Sequence, residues 1–141
     1  MTIKCNRQGD VLIVPIEGEI PADIPEAARE GGRVVLAHGE VTGHAHAIAD
    51  AGATLYRDPA PKPHGALFSD PKLNALFLNT PQLNEAFMRV DAPNALLEHE
   101  EHTFHEISRG NKVVVRQREY NDNLTNLTPG EADIISRYVA D

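Results

Sequence analysis

The chain contains a single cysteine, Cys5, and no tryptophan in its 141 residues. One thiol excludes both an intramolecular disulfide and a cysteine-rich zinc site. No motif surrounds Cys5 that would make it a nucleophile, so it reads as a buried or idle thiol. Aromatic residues make up only 5% of the chain, which points to a core of Val, Ile, Leu and Ala. Long apolar runs are missing as well. The longest clean one, Val11-Leu12-Ile13-Val14, falls far short of a membrane span. The first twenty residues hold no charged segment followed by an apolar stretch, the pattern of a secretory signal. The expectation is a cytoplasmic protein, or one packaged into a virion from inside a cell, with no membrane contact. In that setting the sequons at Asn123 and Asn126 are chance matches. Positive charge is also short: 13 Lys and Arg stand against 21 Asp and Glu, a net charge of −8. Phosphate binding needs a basic surplus, so nucleic acid is not the expected partner.

What is present fits one globular domain spanning residues 1–141, with 41% hydrophobic and 24% charged residues. Val11–Ile16, Arg33–Ala37 and Lys112–Tyr120 read as strands from their β-branched content. His44–Ile48 and Ala53–Arg57 read as a hairpin across Asp50-Ala51-Gly52. Ala86–Val90 and Ala95–Leu97 read as two further strands, and Thr103–Ile107 as another, with a turn at Ser108-Arg109-Gly110-Asn111. Ala27–Arg29 suits a helical turn. Residues 58–85 change character, opening with the Pro-rich Asp58-Pro59-Ala60-Pro61-Lys62-Pro63. This stretch reads as an insertion or contact arm rather than a second domain. The one convincing helix signal is C-terminal, where Thr128-Pro129-Gly130-Glu131 forms a capping box ahead of Ala132, Ile135 and Val139. Many short strands and one short C-terminal helix predict an all-β fold, a small barrel or sandwich.

Chemistry concentrates in histidine. Five of the seven histidines fall in two clusters, Gly43-His44-Ala45-His46 and His99-Glu100-Glu101-His102-Thr103-Phe104-His105. On a strand, residues two apart share a face, so His44 and His46 can aim two imidazoles at one point. Neutral imidazole is the commonest protein ligand for transition metals. The second cluster supports more than one pairing. A straight strand puts His99 and His105 on one face, a bulge or tight turn brings His99 to His102, and a helical turn brings His102 to either neighbour. The expected ligands are His44, His46, His99 and His102, with His105 as the substitute for His102. Four imidazoles would close a structural site, and three would leave an open position for water or substrate. Glu98, Glu100 and Glu101 read as ligands, as hydrogen-bond partners of the imidazoles, or as solvated charge. His38 and His64 stand apart from both clusters. No phosphate-binding loop and no Gly-x-Ser-x-Gly elbow occurs, and no catalytic residue can be named.

Two resemblances follow from these residues. Gly39, His44, His46, Asp50 and Gly52 resemble the first motif of the cupins, which implies a β-barrel and a histidine-bound metal. The short Gly-to-His interval and an Asp in place of the usual Glu depart from that pattern. Separately, Gln8-Gly9-Asp10-Val11, Gly39-Glu40-Val41-Thr42-Gly43-His44-Ala45-His46, His99-Glu100-Glu101-His102 and Gln117-Arg118-Glu119-Tyr120 resemble small uncharacterised proteins of bacterial and phage genomes. That likeness implies no activity, but it suggests a virion or assembly role. The expectation is therefore a non-enzymatic metal-binding barrel, a structural or assembly module such as a capsid-associated or decoration protein. It would contact other proteins, capsid proteins among them, or copies of itself. Zinc is the expected metal, with Fe, Mn or Ni as alternatives. The competing expectation is a cupin-like metalloenzyme in which a glutamate such as Glu101 serves as base.

Overall fold

The computed structural model describes residues 6–8, 11–38, 44–65, 67–100 and 102–116, apart from the side chains of Arg7, Asn94 and His102. Seven strands form one antiparallel sheet: β1 Asn6–Gln8, β2 Val11–Pro15, β3 Val34–His38, β4 Ala45–Ile48, β5 Ala53–Arg57, β6 Ala86–His99 and β7 His102–Arg116. Their order is β1-β2-β7-β6-β4-β3, with β5 also pairing to β6. The long β6 thus carries β5 beside its first half and β4 beside its end. The sheet curls into a nearly closed barrel. Among the described residues no backbone ladder joins β1 to β3. Side chains link the strands on either side of that gap, the Gln8 amide of β1 reaching His46 of β4 and the Arg116 guanidinium of β7 donating to the His38 carbonyl of β3.

Both faces of the sheet are covered, and strand alternation sorts the side chains between them. The inner layer gathers Val11, Ile13, Val34, Leu36, Ile48, Leu55, Met88, Leu97 and Ile107. The outer layer takes the alternate residues, Leu12, Val14, Phe87, Val113 and Val115. This is why Val11-Leu12-Ile13-Val14 is apolar without interruption: each residue is buried, on one side or the other.

The segment read from sequence as a contact arm is what covers the outer layer. It contains a helix, α1 Pro71–Asn79, where no helix is expected from sequence, followed by a 3₁₀ turn at Pro81–Asn84. Asp70 caps α1 by accepting the Leu73 N–H, and Pro71 occupies the first turn, where no donor is missed. Leu73, Leu76 and Phe77 then share one buried face, packed with Leu67, Phe68 and Leu83 against Phe87. The local signal, Asp-Pro ahead of a short apolar repeat, was available. Turn residues on both sides concealed it.

Further expectations are corrected, first the hairpin across Asp50-Ala51-Gly52: β4 and β5 each pair with β6 and not with each other. Ala27–Arg29 is not helical: the Ala27 N–H donates to the Leu55 carbonyl and the Arg57 N–H to that of Pro25, so this segment runs extended beside β5. Ser108–Asn111 is not a turn either, and β7 passes straight through it. Gly110 accommodates the passage at φ +131, opposite Val90. Likewise the two strands expected around Ala86–Val90 and Ala95–Leu97 are one, with an irregularity between Val90 and Asn94 that includes Pro93. The helix expected from Thr128 lies outside the described residues, as does the far end of the strand expected to Tyr120.

Candidate functional site

Strand register brings the two histidine clusters together. Ala47 and Ile48 pair with Glu98 and Leu97, which carries His46 alongside His99 at the end of β6. His46 and His99 share strand parity with Ile48 and Leu97, so both belong to the inner face at one end of the barrel. The rings of His46 and His99 lie 4.3 Å apart, centre to centre, and tilted by 35°. His44, preceding β4, brings its ring edge-on to His99 at 6.0 Å. His46 is almost wholly buried at 2% exposure, whereas His44 and His99 are half-buried.

The second cluster is turned rather than straight. His99 and His102 are Cα partners at the tip of the β6–β7 hairpin, and Glu100 lies in the turn. One step along the ladder Leu97 pairs with His105, so Thr103 and Phe104 together face Glu98 alone. That extra residue is a β-bulge. His105 therefore stands opposite Leu97, one pair further from the turn than His102. The side chain of His102, and all of Glu101, lie outside the described residues.

Two polar side chains brace the cluster. Gln8, only 1% exposed, places its amide oxygen 2.8 Å from His46 Nδ1. Its amide nitrogen donates to the carbonyl oxygens of Leu97 at 3.1 Å and Thr103 at 2.9 Å. Glu100 reaches across from the turn to accept the Ala45 N–H at 2.9 Å, tying the hairpin tip to β4. The Ala45 N–H, and then the residue's own N–H, hold the Glu100 carboxyl below the usual carboxylate range against a small desolvation penalty. The neighbouring His44 and His99 act in the same direction. Nothing local in the sequence marks Gln8 as part of the site. Only the closure of the barrel places it there.

The remaining residues considered from sequence lie elsewhere. His38 is exposed, 3.1 Å from the Glu30 carboxylate. His64 packs edge-on against Phe87. Asp50, laid on the cupin pattern as its acid, accepts the Leu96 N–H through its carboxylate at 3.1 Å and helps fix the β4–β5 turn.

Zinc binds imidazole nitrogen at about 2.0–2.1 Å, so two rings on one tetrahedral ion have centres roughly 5 Å apart. The 4.3 Å pair is closer than this and the 6.0 Å pair wider. As they stand, no three His, Cys, Asp or Glu side chains among the described residues form a group that could hold a metal ion. Binding would require the rings to rearrange so that their nitrogens converge on one point.

Fold and site together define a small antiparallel β-barrel with a histidine cluster inside one end. Residues 7–117 match the family described as Domain of unknown function (DUF8820), and the chain belongs to that family. No curated protein and no solved structure matches the chain. No helix among the described residues is long and apolar enough to cross a membrane.

Proposed function

We propose that the chain is a metal-binding structural or assembly module in which the histidine cluster takes a divalent transition metal, zinc first. The observation that carries this reading is the convergence of His44, His46 and His99 from two distant chain segments inside one barrel end. Nothing in apolar packing calls for three imidazoles at that place. His102 is the proposed fourth ligand because its backbone stands opposite His99. Four imidazoles would join β4 to both strands of the hairpin and close the barrel end.

The cupin-like metalloenzyme reading has less support. Its base, a glutamate such as Glu101, lies outside the described residues, and that reading rests on the cupin resemblance. A role in a virion, as a capsid-associated or decoration protein, rests on the sequence resemblance alone. A companion measurement for it is whether the protein co-sediments with assembled capsids.

The decisive experiment is metal analysis of untagged protein beside its His44→Ala and His99→Ala variants. Wild type should retain or take up zinc, and both variants should lose it together with its stabilising effect. Unchanged metal content and melting temperature in both variants would end the metal reading. Closed four-histidine coordination would support the structural role, and a coordinated water facing a cavity the enzyme.

A further inference from the structure

We infer that Gln8 is the positioning residue of the histidine cluster, holding the proton of the neutral His46 ring on Nδ1 and its lone pair on Nε2. The argument starts from valence. A carboxamide nitrogen carries two hydrogens and its oxygen only accepts. The Gln8 nitrogen faces the Leu97 and Thr103 carbonyl oxygens at 3.1 and 2.9 Å. Carbonyl oxygens cannot donate, so both amide hydrogens are committed to them. The opposite orientation of the amide would set oxygen against two oxygens in a buried place.

With the amide fixed, the Gln8 oxygen is the atom 2.8 Å from His46 Nδ1. Neither atom can donate unless the proton is on Nδ1. A neutral imidazole with its proton there presents its lone pair at Nε2. The consequence for ligand binding rests on the metal reading: His46 would coordinate through Nε2. The same amide touches four strands, β1 through its own backbone, β4 through His46, β6 through Leu97 and β7 through Thr103 at the bulge. Docking of the short edge strand β1 therefore sets both the tautomer and the orientation of a buried ring.

Heteronuclear NMR of the imidazole nitrogens tests this without any metal. At about pH 8, where an ordinary histidine is neutral, wild-type His46 should show a pyrrole-type, protonated Nδ1 and a pyridine-type Nε2. The reverse pattern in wild type overturns the inference whatever any variant does. Gln8→Met, similar in length but without the amide, should shift His46 toward a mixture of tautomers while His38, exposed and remote, keeps its pattern. An unchanged His46 pattern in a folded Gln8→Met protein would also overturn it. Zinc titration of metal-free wild type then separates the two proposals. Coordination at Nδ1 sinks the Gln8 inference and leaves the metal reading. A protonated Nδ1 with no zinc response sinks the metal reading and leaves Gln8 in its role.

Discussion

His99 and His102 stand opposite each other as Cα partners at the tip of the β6–β7 hairpin. The β6–β7 register thus resolves which of the second-cluster histidines meets His99 in the backbone ladder. If the ions bridge this tip to β4, metal occupancy and folding are coupled. Zinc supplied at about a hundred times its dissociation constant should stabilise the protein by about 2.7 kcal/mol. Chelation with EDTA should reverse that gain in a thermal melt. His44→Ala should melt at the same temperature with and without zinc.

Gly52 offers a steric test of the barrel wall. A Cβ built on it would lie 2.9 Å from both the Cβ and the backbone nitrogen of Ala92, on the irregular stretch of β6. Backbone cannot step aside as a flexible side chain would. Gly52→Ala should cost about 1–3 kcal/mol in denaturant unfolding. A neutral result would mean that the β4–β5 turn does not seat against β6 as described.

The helical segment is tested by comparing two leucines on the same helix. Leu73 is fully buried at 0% exposure, while Leu78 is 40% exposed. Leu73→Ala should lose about 2–5 kcal/mol, and Leu78→Ala should stay within about 0.5 kcal/mol of wild type. Equal, small losses would mean that α1 does not pack on the outer layer as described.

Asp58 gives a pH-dependent prediction. The Lys62 ammonium at 2.8 Å, followed by the Ala60 N–H, holds the Asp58 carboxyl below its ordinary range. Because its folded-state pKa is depressed, Asp58 stabilises the fold above the unfolded carboxylate pKa of about 3.9 and loses that effect as pH falls through the folded value. Asp58→Asn should therefore melt below wild type at neutral pH. The gap should close in strongly acidic solution, and a gap constant with pH would contradict the assignment. Lys62 is shifted upward, by the Asp58 hydrogen bond first. Its contribution should persist at neutral pH and fade as pH rises through the lysine range. Since the Lys62 side chain is 46% exposed, solvent screens the pair.

The β-character of the chain and several strand positions were legible because alternation and β-branching are local properties. Val11–Ile16 contains β2, Ala53–Arg57 coincides with β5, and Arg33–Ala37 overlaps β3. The break expected at Ser108–Asn111 failed for a physical reason. Ser, Gly and Asn favour turns in isolation, but ten paired positions with β6 keep this stretch extended. The helix at Pro71–Asn79 was hidden because turn residues on both sides interrupt its short apolar repeat, and its buried face joins a layer with Leu12, Val14 and Val113 that only the fold assembles.

By itself the sequence determined which chemistry is on offer: imidazoles in two clusters, little aromatic content, one thiol and an acidic balance. It also set His44 and His46 two apart, and strand geometry needs nothing more to place them on one face. Tertiary structure alone decided that His99 joins them, because the register of β4 against β6 is a relation between segments some fifty residues apart. It decided that the hairpin turns at Glu100, and that Gln8, an ordinary polar residue in the sequence, ends buried against His46. A hydrogen bond between β1 and β4 exists only once the barrel has curled far enough to bring those strands within reach.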